Sequence, residues 1–265
     1  MTDRRRRTGE SCGVELATGD VIVARVTLAV PDHERAELAT LLSDDERRRA
    51  ERYRFAGDRE RFVVARAGLR LVLARHAAGS AVRLRFAYGT QGKPWLPSHP
   101  QLRFNLAHAG DLALIAVARG REVGVDLERV TAGRKLDDVA ETFFSLAEQD
   151  GLARLEGEAR TRALQRCWCR KEAYVKARGT GLSLPLHTFD VVIDGSAPPD
   201  GSLLLATRPH AAEAGAWDLR DLEVGAAYVA ALAVEGRLGR VWSCEPDPVR
   251  GPTASVLCNA RCSRG

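Results

Sequence analysis

The run Val123-Gly124-Val125-Asp126-Leu127-Glu128 places two acids two positions apart in an otherwise apolar segment. In a strand, alternate residues share a face, so Asp126 and Glu128 stand together about 7 Å apart, with Val125 and Leu127 on the other side. Paired carboxylates repel unless water or a cation neutralises them, and hard oxygen donors of this kind suit Mg²⁺. Taken alone, the pair also fits ordinary surface acids at an exposed strand end. A second segment, Trp168-Cys169-Arg170-Lys171-Glu172-Ala173-Tyr174-Val175-Lys176, spaces Trp168, Glu172 and Lys176 four apart. That spacing lines one stripe of a helix. The bland account is a buried Trp next to a surface Glu–Lys pair; against it, two of the four Lys of the chain, whose pKa is tunable as that of Arg is not, fall within six residues here.

Two further segments offer phosphate chemistry. Gly89-Thr90-Gln91-Gly92-Lys93-Pro94-Trp95 is a Gly-rich turn presenting one Lys; it is not a Walker loop, which needs Ser or Thr after Gly-Lys. Phe104-Asn105-Leu106-Ala107-His108-Ala109 sets His108 just past an apolar strand, where a lone His is more often a turn residue than a ligand.

The elements that must hold these groups follow from periodicity and punctuation. A strand is predicted over Val21–Val30, helices over Asp32–Leu42, Ser43–Phe55 and Asp58–Ala78, then strands over Val82–Ala87, Leu102–Leu106, Leu112–Ala118 and Glu122–Glu128. Ser43 with Glu46 three residues on makes a capping box. After Thr131-Ala132-Gly133 the pattern restarts. Helices are predicted over Leu136–Phe144, Leu146–Leu155 and Thr161–Arg178, and strands over Phe189–Ile193, Leu203–Ala206, Ala216–Leu222 and Ala226–Val234. The expected fold class is therefore α+β, built as two similar α/β halves related by a pseudo-two-fold, covering 21–130 and 131–243. Residues 1–20 read as a flexible N-terminal extension and 244–265 as a disordered tail.

Composition narrows the function classes. The 265 residues carry 40 Lys+Arg against 35 Asp+Glu and are 45% hydrophobic, which excludes a wholly disordered chain. The apolar runs Leu112–Ala118 and Ala226–Val234 fall far short of the roughly 20 residues of a membrane span. No apolar h-region follows Arg4–Arg7, so a cytoplasmic location is expected. Only four of the basic residues are Lys: Lys93, Lys135, Lys171 and Lys176. Ser43–Arg75 holds ten Arg against six acids, a basic helical stretch that suggests an anionic partner. The six Cys lack zinc-knuckle spacing and read as unpaired thiols.

In this order the four segments resemble those of the 4'-phosphopantetheinyl transferases, of the long, surfactin-synthetase-activating type. That family carries a Gly-Lys-Pro loop, a Phe-Asn-x-Ser-His-Ser turn, a Gly-x-Asp-x-Glu strand and a Trp-x-x-Lys-Glu-x-x-x-Lys helix. Phe143-Phe144-Ser145 with Glu148, and Gly179–Leu186, also look like family segments. The resemblance implies transfer of the 4'-phosphopantetheine arm of coenzyme A to a carrier-protein serine, with release of adenosine 3',5'-bisphosphate. It implies Asp126, Glu128 and Glu172 as ligands of Mg²⁺ (or Mn²⁺), Glu172 as acceptor of the serine proton, and Lys176 as a contact of the α-phosphate. For coenzyme A it implies Lys93 and Pro94 around the adenine, His108 at the 3'-phosphate, Arg49 and Arg61 on the nucleotide phosphates, and Lys171 with Lys176 from the helix.

The expected partners are apo acyl or peptidyl carrier proteins of polyketide, nonribosomal-peptide or fatty-acid synthesis, and the expected state is a monomer, with no nucleic acid or membrane bound. Ala107 and Ala109 depart from the family by replacing both serines around His108, and Glu46 stands where a basic residue is common. Two rivals from other classes are a nucleic-acid binder, which would show steep salt dependence without any need for Mg²⁺ or coenzyme A, and a catalytically dead binding protein.

Overall fold

The computed structural model describes residues 16–77, 79–131, 135–193, 201–244 and 261–263. In chain order it contains β1 (Val21–Thr27), α1 (Asp32–Ala39), α2 (Asp44–Glu51), α3 (Ala56–His76), β2 (Ala87–Tyr88), β3 (Pro94–Trp95), β4 (Leu102–Ala109), β5 (Leu112–Arg119) and β6 (Val123–Arg129). There follow α4 (Lys135–Phe143), α5 (Leu146–Ala153), α6 (Gly157–Arg178), β7 (Phe189–Val191), β8 (Leu204–Thr207), β9 (Trp217–Leu222), β10 (Tyr228–Glu235), β11 (Val241–Cys244) and β12 (Arg261–Ser263). The fold is α+β.

One topology occurs twice. In the first sheet, ordered β12-β11-β1-β5-β4, the hairpin β4–β5 inserts β5 antiparallel beside β1. In the second, ordered β6-β10-β9, the later hairpin inserts β10 antiparallel beside β6. Each opening strand leads through three helices, the last of them long: α3 has 21 residues and α6 has 22. Strand alternation sorts the apolar residues into three cores. Ile22, Ala24, Val26, Ile115 and Val117 pack toward Leu69 and Leu73 of α3. Leu219, Ala231 and Ala233 pack toward Ala173 and Ala177 of α6. The opposite faces of the two sheets meet through Val21, Val23, Leu114, Ala116, Val123, Val125, Leu127 and Leu232. The layers are therefore α–β–β–α, and burial on both faces explains why β5 is apolar throughout rather than alternating.

Several expectations need correction. The strand Val123–Arg129, grouped by sequence with the first half, pairs with β10 and stands in the second sheet. Val82–Ala87 is not a strand: Ala81–Arg83 forms a single 3₁₀ turn and only Ala87–Tyr88 pairs, because Arg70 takes the Ala81 and Leu84 carbonyls. β11 was not legible, since its partner is β1, about as far away in sequence as the chain allows. Of the tail, Arg261–Ser263 pairs with β11 instead of being irregular. Cys244, the first residue of that tail, ends β11, and residues 245–260 and 264–265, like most of the N-terminal extension, lie outside the described residues.

Candidate active site

Gly124 brings the strand and helix of the site together. A Cβ at this position would collide with the Ala173 carbonyl oxygen and with the backbone of Ala177, so only glycine lets β6 lie directly on α6. Because alternate strand residues share a face, Gly124, Asp126 and Glu128 all look toward α6, while Val123, Val125 and Leu127 enter the core between the sheets. The helix answers with its own stripe. Trp168 donates its indole N–H to Glu128 Oε1 at 3.2 Å, and Lys176 Nζ sits 2.5 Å from Asp126 Oδ1. Glu172 lies between them on the same stripe, half-buried. At the helix end, Gly179 takes a left-handed conformation (φ 67°), which lets the chain leave α6 just after Lys176.

The electrostatics are those of like charges gathered under partial burial. Desolvation, then the Asp126 charge, pushes Glu128 above the ordinary glutamate range, against the Trp168 hydrogen bond. Desolvation also raises Glu172, with Lys176 pulling it down and Asp126 adding to the rise. For Lys176 burial acts downward, but the charge and hydrogen bond of Asp126, with Glu172, outweigh it, and its ammonium is held more tightly than usual. Asp126 is 3% exposed, and its Oδ2 is buried with no hydrogen-bond partner among the described residues beyond the weak Cys169 thiol beside it.

Among the described residues no three His, Cys, Asp or Glu side chains are already drawn to metal-ligand spacing, and Lys176 covers one oxygen of Asp126. The donor set nevertheless fits a hard divalent cation. It offers a buried carboxylate oxygen without a strong hydrogen-bond partner and two further carboxylates, Glu128 and Glu172, half-buried beside it, a hard oxygen donor set.

The other residues singled out from the sequence fall in different places. His108, on β4, is exposed at its surface, and partial desolvation followed by the charges of Lys176 and Arg61 holds its pKa below the ordinary value. Arg61 Nε reaches Asp111 at 3.0 Å, and Arg49 is exposed with its guanidinium 5.5 Å from the Phe62 ring centre. Pro94 pairs with Tyr88 in the β2–β3 hairpin. Lys93 does not offer a free ammonium: Nζ donates to Glu122 Oε2 at 2.7 Å, the Ala177 carbonyl at 2.7 Å and the Val123 carbonyl at 3.2 Å.

Lys171 is not brought to the cluster at all. It is 0% exposed on the far side of α6, with Nζ on the Leu186 and Phe189 carbonyls and 2.8 Å from Glu148. The expectation that it binds coenzyme A gives way to a role in the core of the second half. Neighbouring positions on a helix point about 100° apart, and here Lys171 is held by Glu148 and two carbonyls while Glu172 stands on the stripe with Trp168 and Lys176. Glu46 likewise turns out to be buried, paired with Arg66 and Arg70, so two arginines of the basic stretch face inward.

Asn105 went unassigned in the sequence. Its Oδ1 accepts the Val125 N–H at 2.9 Å, from β4 across to β6. The available signal was a polar amide inside an apolar strand, which when buried must find a partner.

A family model described as "4'-phosphopantetheinyl transferase superfamily" matches residues 122–233, and one described as "4'-phosphopantetheinyl transferase, N-terminal" matches residues 31–120. The chain is similar to 4'-phosphopantetheinyl transferase HetI of Nostoc sp., at 34% identity over 224 residues, covering 83% of this chain and 90% of that protein. It is also similar to 4'-phosphopantetheinyl transferase Sfp of Bacillus subtilis, at 29% identity over 158 residues, covering 60% of this chain and 69% of that one. Among solved structures, the Chronobacterium ammoniagenes ACPS-CoA complex matches 45% of this chain and 98% of that chain, at 20% identity and a TM-score of 0.33. With family models falling on both halves and a relative matched over 90% of its length, the chain belongs to the 4'-phosphopantetheinyl transferase superfamily.

Proposed function

We propose that this chain transfers the 4'-phosphopantetheine arm of coenzyme A to a serine of an acyl or peptidyl carrier protein, releasing adenosine 3',5'-bisphosphate in a Mg²⁺-dependent reaction. One observation carries the reading: Asp126 and Glu128 on β6 face Glu172 and Lys176 on α6 across a contact that Gly124 makes possible. In the reaction the serine oxygen bonds to the pantetheine-side phosphorus as the bond to the bridging pyrophosphate oxygen breaks. The electron pair leaves with the bisphosphate, and the serine proton passes to Glu172.

Glu172 is the carboxylate on the α6 stripe that can take this proton; burial raises its proton affinity against the pull of Lys176. Lys176, whose proton is held tightly by Asp126, acts as a fixed positive charge for the leaving phosphate. A Mg²⁺ or Mn²⁺ ion held by Asp126, Glu128 and Glu172 would neutralise charge on the pyrophosphate. His108, Arg61 and Arg49 on the first half, with Pro94 of the β2–β3 hairpin, line the coenzyme A side.

The exposed arginines of α2 and α3, among them Arg47, Arg48 and Arg59, with Arg52 between the two helices, would steer the acidic surface of a carrier from polyketide, nonribosomal-peptide or fatty-acid synthesis. No helix among the described residues is long and apolar enough to cross a membrane, and the proposed setting is a cytoplasmic monomer of secondary metabolism. The reading is tested by incubating the chain with apo carrier protein, coenzyme A and Mg²⁺. A carrier mass gain of one phosphopantetheine is expected, and no gain across several carrier classes would sink the proposal. Glu172→Gln is expected to abolish transfer while leaving the thermal unfolding transition in place.

A further inference from the structure

Among the described residues β6 is the edge strand of the second sheet and β4 the edge strand of the first, and no backbone ladder joins them. The N–H and C=O groups that β6 turns away from β10 therefore face a seam, where each needs a partner. Two of them are met by side chains of the other half. The Val123 carbonyl accepts from Lys93 Nζ, and the Val125 N–H donates to Asn105 Oδ1. Between these two residues lies Gly124, whose open face rests on the backbone of α6. Lys93 also holds the Ala177 carbonyl, one residue past Lys176, and its stem packs on Gly179. Asn105 is buried, so its bond to β6 is not open to competition from water.

We propose that Lys93 and Asn105 are positioning residues, which clamp the backbone of β6 on either side of Gly124 and thereby set where Asp126 and Glu128 stand relative to Glu172 and Lys176. The inference rests on the transferase reading for its consequence, not for its geometry. It makes the coenzyme-A-side hairpin and β4 mechanically continuous with the carboxylate strand. It also assigns Lys93 a role different from that of a nucleotide ligand.

The full chain carrying Asn105→Leu or Lys93→Met separates the possibilities. Each variant is expected to lower kcat about tenfold or more, with KM for coenzyme A held within about twofold, as for other groups that orient ligand carboxylates. Mn²⁺ binding, followed by the spectroscopic signal of free Mn²⁺ with coenzyme A present and no carrier, is expected to weaken by about the same factor. Asn105→Asp keeps an acceptor oxygen and is expected to recover part of the loss; should Asn105→Leu not fold, Asn105→Asp and Asn105→Ala carry the same comparison. A raised KM for coenzyme A with unchanged kcat and Mn²⁺ affinity would make Lys93 a substrate ligand and overturn the clamp. In the ligand-free chain either substitution is expected to move the amide NMR signals of Val125 and Asp126. Signals that stay in place overturn the clamp whatever the chain transfers. A wild-type chain that neither modifies a carrier nor takes up Mn²⁺ overturns the transferase reading instead, and the NMR comparison then decides the clamp alone.

Discussion

The two halves share a plan and differ at the interface between opening strand and long helix. In the first half β1 turns Ile22, Ala24 and Val26 toward α3, an apolar wall. In the second half β6 turns Gly124, Asp126 and Glu128 toward α6, which meets them with Trp168, Glu172 and Lys176. Both contacts are close and both use glycine, on the helix in one half (Gly68 against Val26) and on the strand in the other (Gly124 against Ala173 and Ala177). A glycine on the strand leaves the neighbouring same-face positions free for carboxylates. One copy of the motif supplies packing, and the other turns the equivalent surface into a site.

A second parallel lies behind these contacts. Each half has a Ser-x-x-Glu capping box on a short helix, Ser43 with Glu46 and Ser145 with Glu148. In each the glutamate is also the buried partner of cations on the long helix: Arg66 and Arg70 in the first half, Lys171 in the second. Two arginines outweigh desolvation and hold Glu46 below the ordinary glutamate value of 4.5. For Glu148 desolvation prevails over the single Lys171, and its value is raised.

The largest test of this difference is to remove the cation. Lys171→Met strands a buried Glu148 and is expected to cost about 3–5 kcal/mol in denaturant unfolding, whereas Arg66→Met leaves Glu46 with Arg70 and costs clearly less. Equal losses would show the two nodes to be equivalent.

Next come the glycines. Gly124→Ala forces a methyl group into helix backbone that cannot yield, and is expected to cost about 3 kcal/mol of stability. Gly68→Ala meets only the Val26 side chain at 3.1–3.2 Å while gaining helix propensity, and is expected to change stability by less than about 1 kcal/mol.

The smallest effect is in acid. Glu46, lowered when folded, contributes stability that is present above pH 4.5 and lost as pH falls through its folded value. Glu148, raised when folded, contributes in the opposite sense: its share is present below 4.5 and lost as pH rises through its folded value. Unfolding measured from about pH 3 to about pH 7 is therefore expected to show a flatter acid limb in Glu46→Gln, and to lose a decline above 4.5 in Glu148→Gln. Parallel changes in both variants would contradict the assignment.

What could be read from sequence was local. Period-two spacing put Asp126 and Glu128 on one face, period-four spacing lined Trp168, Glu172 and Lys176, and the capping glutamate Glu46 stood at its expected offset from Ser43. What was hidden depended on facing partners. A long helix buried on several sides uses Lys171 and Lys176 for unrelated purposes, so the scarcity of Lys pointed to both without distinguishing them. The same holds for Arg66 and Arg70, which a charge count assigns to the surface and the fold assigns to Glu46. Asn105 and Lys93 act on the backbone of β6, and backbone partners leave no pattern in residue types.

The strand β11 has a consequence for how the molecule is made. It lies parallel to β1, and alongside it Arg240 N donates to Asp20, 220 residues away in sequence. A nascent first half emerging from a ribosome therefore presents β1 with an open flank until nearly all of the second half has been synthesised. Closing so distant a contact is slow compared with forming hairpins and helices. The register of the first sheet is thus completed last, by strands made after both copies of the motif, and the first copy expressed alone would lack part of the sheet it occupies in the whole chain, whereas the second copy carries all three strands of its own.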